Sequence, residues 1–399
     1  MSSSNPPSST QRHESHTQRP SFSLIAAITV TGILANTLPN AGIPNILEDF
    51  HRPDSAAGIL VAAASVPGIL VAPIVGIFAD RYGRRAVLVP CLVAFGLFGL
   101  MGAFAPSFTW LIAARFGQGI GSAGLINLTN ILIGDHWQGL ERTKMFGYNS
   151  AILTVSLAVL PFLGGFLTDL GGWRLAFAPY PLAIITALVV MKRLGPGPTD
   201  GTSTIREQLA AAATVVRYKA VLIPIVLALA TFVMIFGLFL TALPVHLEED
   251  FGMSATQRGL IIALPAIGGT IGSLTVGRLR GAFSAYRIAA AAFALFAVAY
   301  PLIGLTNALW MLTVAAVVYG LGEAWLLTTL TDLVAEATPE ATRGAVMSVH
   351  MGAARTGQSI GPLLAGAGMA VMSTGMVFVV AGIMAATLCL AVIAGGLDS

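Results

Sequence analysis

Twelve apolar runs of roughly 20 residues, parted by short polar breaks, limit what this chain can become. A bilayer core of about 30 Å is crossed by such a run wound as a helix, and inside it every backbone polar group must be paired within the protein. The runs fall near residues 22–44, 56–78, 86–104, 108–133, 146–168 and 173–191. They resume near 220–243, 257–277, 285–305, 308–331, 344–370 and 373–396. Hydrophobic residues make up 56% of the chain and charged ones only 10%, against about 25% charge in a soluble domain. No water-facing surface can be built from that inventory. The expectation is an all-α membrane protein of twelve transmembrane helices.

Two stretches fall outside the runs. Residues 1–21, MSSSNPPSSTQRHESHTQRPS, carry Ser and Pro without apolar periodicity and read as a disordered tail, too polar for a cleaved leader. Residues 192–219 carry GPGPTDGTST and then a basic, Ala-rich piece, the composition of a linker. The expected domains are the tail 1–21, a six-helix bundle over 22–191, the linker 192–219 and a second bundle over 220–396.

Basic residues orient the bundle. Placing the amino terminus in the cytoplasm puts sixteen of the 21 Lys and Arg on that side, in the tail, the linker and alternate loops. Only Arg52, Arg174 and Arg258 fall outside, while Arg115 and Arg355 lie within runs. By the positive-inside rule both termini are cytoplasmic. The net charge of +3 thus reflects topology and not an affinity for nucleic acid. Cys91 and Cys389 lie inside apolar runs, which argues against a disulfide framework. No spacing suits a metal, no cofactor is implied, and no GK[ST] loop points to ATP, so secondary transport is favoured.

The two halves echo each other at an offset of about 200 residues. PNILEDF (44–50) answers PVHLEEDF (244–251), Gly58 answers Gly259, and Pro67 answers Pro265. FGQG (116–119) answers YGLG (319–322), and LPFLGG (160–165) answers GPLLAG (361–366). Two six-helix bundles of like orientation form a transporter architecture.

Between the second and third runs stands GIFADRYGRR (76–85), four of whose ten residues are charged. It fits the G-x(3)-D-R-x-G-R-R signature of that loop in the major facilitator superfamily, and LIAARFGQGIG (111–121) resembles the superfamily's R-x(2)-Q-G motif. With the twelve runs and the repeat, the resemblance covers residues 22 to 396. It implies the major facilitator fold, two six-helix bundles that expose a central site to each side in turn.

Physical chemistry assigns parts to this loop. Gly76 would let the second helix pack closely, and Gly83 would permit the tight turn. Arg81, Arg84 and Arg85 are explained as a topology signal alone, but Asp80 is not. The resemblance implies that Asp80 sits by the amino end of the eleventh helix, around Arg343 and Gly344, where an anion meets unpaired N–H groups. Arg84 would pair with Asp135, and the whole would act as a conformational latch.

Ionisable groups inside spans cost at least about 2.5–3.5 kcal/mol each at mid-membrane. Arg115 matches the R-x(2)-Q-G arginine, for which the resemblance implies a part in proton coupling; a buried Arg bonded to first-helix carbonyls or to Asn36 and Asn40 is the alternative. Glu323 and Arg355 fall at similar depths on the tenth and eleventh helices and are expected to pair. The pair is either structural, or Glu323 is the protonatable carboxylate of a coupled transporter. In the fifth helix, SLAVLPFLGG (156–165) keeps Pro161, Gly164 and Gly165 of the antiporter motif, while Ser156 and Leu160 replace its leading glycines. A kink that only shapes packing explains it equally. Asn36, Asn40, Gln118, Asn127, Phe232, Phe236 and Trp325 are the expected cavity lining.

The leading functional expectation is a proton-coupled exporter of small apolar or amphipathic molecules, monomeric, in a bacterial inner membrane. Its partners would be a small-molecule substrate, protons and the lipid bilayer. The alternative is a proton symporter or facilitator taking up a sugar or organic acid, which would call for more hydrogen-bonding side chains on helices 1, 4, 7 and 10. A membrane sensor would need an output domain, for which the tail and linker are too short. An enzyme would need a nucleophile and base, and none is in view.

Overall fold

The computed structural model describes residues 19–195 and 216–395. Most of the expected tail and linker lies outside those bounds. Among the described residues the chain forms helical rods and no strand. They are α1 (Phe22–Thr37, continued by the turn Asn40–Gly42 and the helix Ile43–Asp49), α2 (Ala56–Tyr82), α3 (Arg84–Ala103) and α4 (Phe108–Ser122 with Leu125–His136). Next come α5 (Gly139–Gly171) and α6 (Trp173–Arg193). The second half has α7 (Lys219–Glu249), α8 (Ala255–Arg280), α9 (Ala285–Leu305), α10 (Leu309–Glu336), α11 (Arg343–Met369) and α12 (Thr374–Ala394).

Eight of these rods are long and apolar enough to cross a bilayer unaided, and α2 would be a ninth but for a 49° bend between Ala56–Ala72 and Ile74–Tyr82. α1, α4 and α11 complete the twelve. α1 and α4 are broken by short turns, and α11 carries Arg355, Gln358 and several Gly and Ser. Helices that face a partner or a polar space, and not lipid, can hold such residues.

The rods run past the apolar runs at several ends. α5 begins at Gly139 and α10 reaches Glu336, because hydropathy marks the part inside the membrane while hydrogen bonding carries the helix beyond it. α7 holds a feature that composition does not announce. Residues Ile235–Ala242 wind as a π-helix, and the Thr241 hydroxyl donates to the Phe236 carbonyl five residues back at 2.7 Å.

One end of the bundle carries Arg81, Arg84, Arg85, Arg142, Lys192, Arg193 and Arg343; the other carries Asp49, Asp54, Asp169, Glu249 and Asp250. They are called here the basic and acidic ends. Each half has its own apolar core, one around Leu92, Phe95, Leu111 and Tyr180, the other around Phe293, Phe296, Tyr319 and Phe378. The halves meet where α2 packs on α11 and α5 packs on α8. Glycines make these contacts close. A side chain at Gly58 would strike the Pro362 carbonyl, one at Gly165 the Ala255 carbonyl, and one at Gly259 the Pro161 carbonyl.

Candidate functional site

The seal at the acidic end is the most fully bonded junction between the halves. Asp169, in the last turn of α5, accepts from the Ser254 hydroxyl at 2.8 Å, the Ala255 N–H at 3.0 Å and the Thr256 N–H at 2.8 Å. Ser254 also begins a capping box, taking the Gln257 N–H at 3.4 Å while the Gln257 side chain takes the Ser254 N–H at 2.9 Å. All the orphan donors at the head of α8 are therefore met, two of them by the opposite half. Partial burial pushes the Asp169 carboxyl up, but the bonds from Thr256, Ser254 and Ala255 outweigh it and hold the group below the usual carboxylate range. Beside it, the buried Arg258 side chain donates to the Ala41 carbonyl at 2.9 Å and to Asn45. Within the first half, Asp49 accepts from Arg174 at 2.8 Å and from the Trp173 ring N–H at 3.1 Å, and these bonds lower its carboxyl.

At the basic end no hydrogen bond or ion pair joins the halves among the described residues. Asp80 does not reach the head of α11. It turns back to Arg84 one turn on, and Arg84 Nε reaches Asp135 at 3.1 Å. Arg85 donates to the Leu194 carbonyl at 3.4 Å, and Arg81 lies over the Tyr82 ring. Gly83 has φ 89°, a value that a side chain strongly disfavours. Gly76 has open space where a side chain would stand, so the close packing expected there does not occur in this arrangement.

Glu323 and Arg355 lie at matching depths, but the expected ion pair is not formed. Glu323, half-buried, faces the hydroxyl ends of Tyr319 and Tyr300. Those rings are locked in a stack: Tyr319 lies parallel to Phe239 at 4.3 Å and packs on Phe296 at 4.9 Å. Arg355, also half-buried, points to α2, where its Nη1 stands 3.1 Å from the side-chain position of Gly68.

Arg115 is fully buried in α4 and donates to Gln118 at 2.9 Å. The first-helix carbonyl of Leu34 is taken by the Tyr180 hydroxyl at 3.0 Å. Asn40 is buried in the turn after α1, Asn127 is half-buried, and the side chain of Asn36 lies outside the described residues. Phe232 and Phe236 stack at 6.3 Å, and Trp325 ties α10 to α8 through a 3.1 Å bond to Thr275. In α5 the Pro161 carbonyl meets Gly259, Gly164 lies on Leu38 and Gly165 on Ala255. That half-motif thus packs helices at the seal.

Four participants escape a reading of the sequence alone. Asp169 and Arg258 read as ordinary loop-side charges. Ser254 did carry a signal, since SATQ before an apolar run has the capping-box form. Asn149 links Thr29 at 2.6 Å to Asn130 at 3.4 Å, a polar thread between α1, α5 and α4. A groove between α9 and α12, lined by Ala290, Ala294, Cys389 and Val392, lies apart from all of these.

Comparison with known proteins places this geometry. Residues 25–246 and 225–396 each match the Major Facilitator Superfamily. Over 334 residues the chain is 25% identical to the quinolone resistance protein NorA of Staphylococcus aureus, covering 82% of this chain and 84% of that one. It is 27% identical over 236 residues to multidrug resistance protein 1 of Bacillus subtilis, covering 57% and 58% of the two chains. It is 32% identical over 173 residues to an uncharacterized MFS-type transporter of Schizosaccharomyces pombe, covering 42% of this chain. The chain spans 29% of that relative, and less than two thirds of the Bacillus one. Among solved structures, a bacterial homologue of the human lysosomal transporter Spinster, inward-facing and occupied, aligns with TM-score 0.75 at 17% identity over 94% of this chain and 97% of that one. A POT family transporter in complex with 5-aminolevulinic acid aligns with TM-score 0.79 at 14% identity over 97% and 98%. At those identities the likeness is one of fold.

Proposed function

The chain belongs to the Major Facilitator Superfamily, and from that premise we propose that it is a proton-coupled exporter of small amphipathic molecules working by alternating access. It is a membrane transporter and not an enzyme. The observation that carries the proposal is Glu323, the one carboxylate deep in a span among the described residues, half-buried beside two tyrosine hydroxyls. A carboxylate there can hold a proton when the site is closed from water and give it up when the site is wet. The named resistance relatives support outward transport. On this reading the basic end is cytoplasmic, as are both termini, and the protein works as a monomer in a bacterial inner membrane. The halves would then be joined at the outside and parted at the inside. Asp80 would engage the head of α11 only in the opposite state, with the Arg84–Asp135 pair steadying its loop. Arg115 would support coupling from within the first half.

Ser156 and Leu160 in place of two antiporter glycines favour a second reading, a proton symporter or facilitator. Transport by everted vesicles tests the choice. Accumulation of an amphipathic dye that needs a proton gradient, and stops when the gradient is collapsed, supports export. Equilibration indifferent to the gradient supports the facilitator.

A further inference from the structure

Arg355 stands twelve residues into α11, about 18 Å from the basic end at 1.5 Å per residue, where a bare cation is costly. Its guanidinium has no hydrogen-bond or ion-pair partner among the described residues. Glu323 is at nearly the same depth but is turned to Tyr319 and Tyr300, and among the described residues no other carboxylate lies deep in a span. The guanidinium instead covers Gly68 of α2, which is buried. Gly68 of the opposite half has only Arg355 Nη1, at 3.1 Å, within 4 Å of where a side chain would begin. Two residues further along α11, Gly357 lies against Phe232, whose ring stacks with Phe236. A planar fork of donors thus stands between the halves over a buried glycine of α2, with the Phe232–Phe236 stack on the α7 side of α11.

With the basic end open, water solvates the guanidinium. Closing that end around cargo removes the water, and the cation then needs a counter-charge. From this geometry we infer that Arg355 recognises cargo and that the carried molecules include organic acids, each a carboxylate on an aromatic or aliphatic body. The inference rests on the small-molecule transporter reading above. The carboxylate takes the guanidinium in the two-bond manner that suits Arg and not Lys, while the apolar body lies along Phe232. Gly68 matters because a side chain there would crowd Nη1 at 3.1 Å and push the guanidinium aside.

Binding to the purified full-length protein in detergent tests this without any gradient, so its outcome is separate from whether export is proton-driven. The probes are matched acid and amide pairs: benzoate and benzamide, 1-naphthoate and 1-naphthamide, ibuprofen and its amide. Binding is followed by thermal stabilisation. At least one acid should bind about ten-fold or more tightly than its amide. Arg355→Gln should bring acid and amide level, Arg355→Lys should retain part of the preference, and Gly68→Ala should weaken the acid. Amide binding left unchanged by Arg355→Gln shows that the fold and the apolar contacts survive. If no acid binds, if acid and amide bind alike to the native protein, or if the preference survives Arg355→Gln, the inference is wrong.

Discussion

Asp169 accepts the Thr256 backbone N–H at 2.8 Å across the boundary between the halves, so one half finishes the helix that opens the other half's second rod. Caps of this kind are worth about 0.5–2 kcal/mol. Asp169→Ala should therefore shift the balance away from the sealed acidic end by roughly two- to thirty-fold. Spin-label distances across that end would show a longer population growing. An unchanged distribution would mean that Ser254 and water suffice.

The same carboxylate predicts a pH range. Its value is held low in the sealed state and returns to about 3.9 when the halves part and water surrounds it. Its contribution is thus fully present above about 3.9 and fades as pH falls through the lower value. The distance distribution should stay constant from pH 8 to 5 on this account. A transition centred near pH 6 would assign the seal to another group.

Glu323→Gln should abolish uphill, proton-driven transport and leave downhill exchange intact, since Gln keeps the shape and loses the titration. Glu323 makes no ion pair with Arg355, so the change should leave no cation newly orphaned. Melting temperature should stay within a few degrees of the native value. Variant protein that still concentrates substrate would remove Glu323 from coupling.

At the basic end, Arg84–Asp135 should show a coupling energy of about 1 kcal/mol in a double-mutant cycle on thermal stability. Asp80→Asn should slow transport while insertion and yield stay normal, because its proposed partner at α11 exists only in the other state. Normal transport by that variant would leave the loop its topological role alone.

Two glycines make a contrasting pair. Gly165→Val would drive a side chain into the Ala255 carbonyl at the seal, and overpacking of this kind costs about 1–3 kcal/mol. Gly76→Ala has empty space around it here and should leave stability untouched. If the basic end closes on α2 during transport, Gly76→Ala will still slow turnover. Equal stability losses in both variants would contradict this account of where the halves touch.

What the sequence disclosed follows from what it encodes locally. Apolar run length is one-dimensional, so twelve rods and their order could be read directly, and the glycine at 83 announced its turn. Depth could be read too, because helical rise is constant, which put Glu323 and Arg355 at one level. Direction around the helix axis could not. Tertiary packing turns Glu323 to Tyr319 and Arg355 to Gly68, and the pair drawn from depth alone fails. Asp169 was illegible for a similar reason: its partners lie some 85 residues away on another half, and nothing near it names them. The π turn of α7 is written in the same Phe, Leu and Ile as its neighbours, so composition carries no trace of it.

The surfaces on which the halves meet are largely backbone, glycine against carbonyl on α2, α5, α8 and α11. Backbone in a formed helix has no rotamers to freeze, unlike a junction of long side chains, each of which loses up to about 2 kcal/mol of conformational freedom on docking. In the proposed cycle the halves would part and rejoin as rigid bodies, with little entropy lost or regained at the junction itself. The temperature dependence of turnover should then report the entry and exit of water around the cargo more than the ordering of the protein.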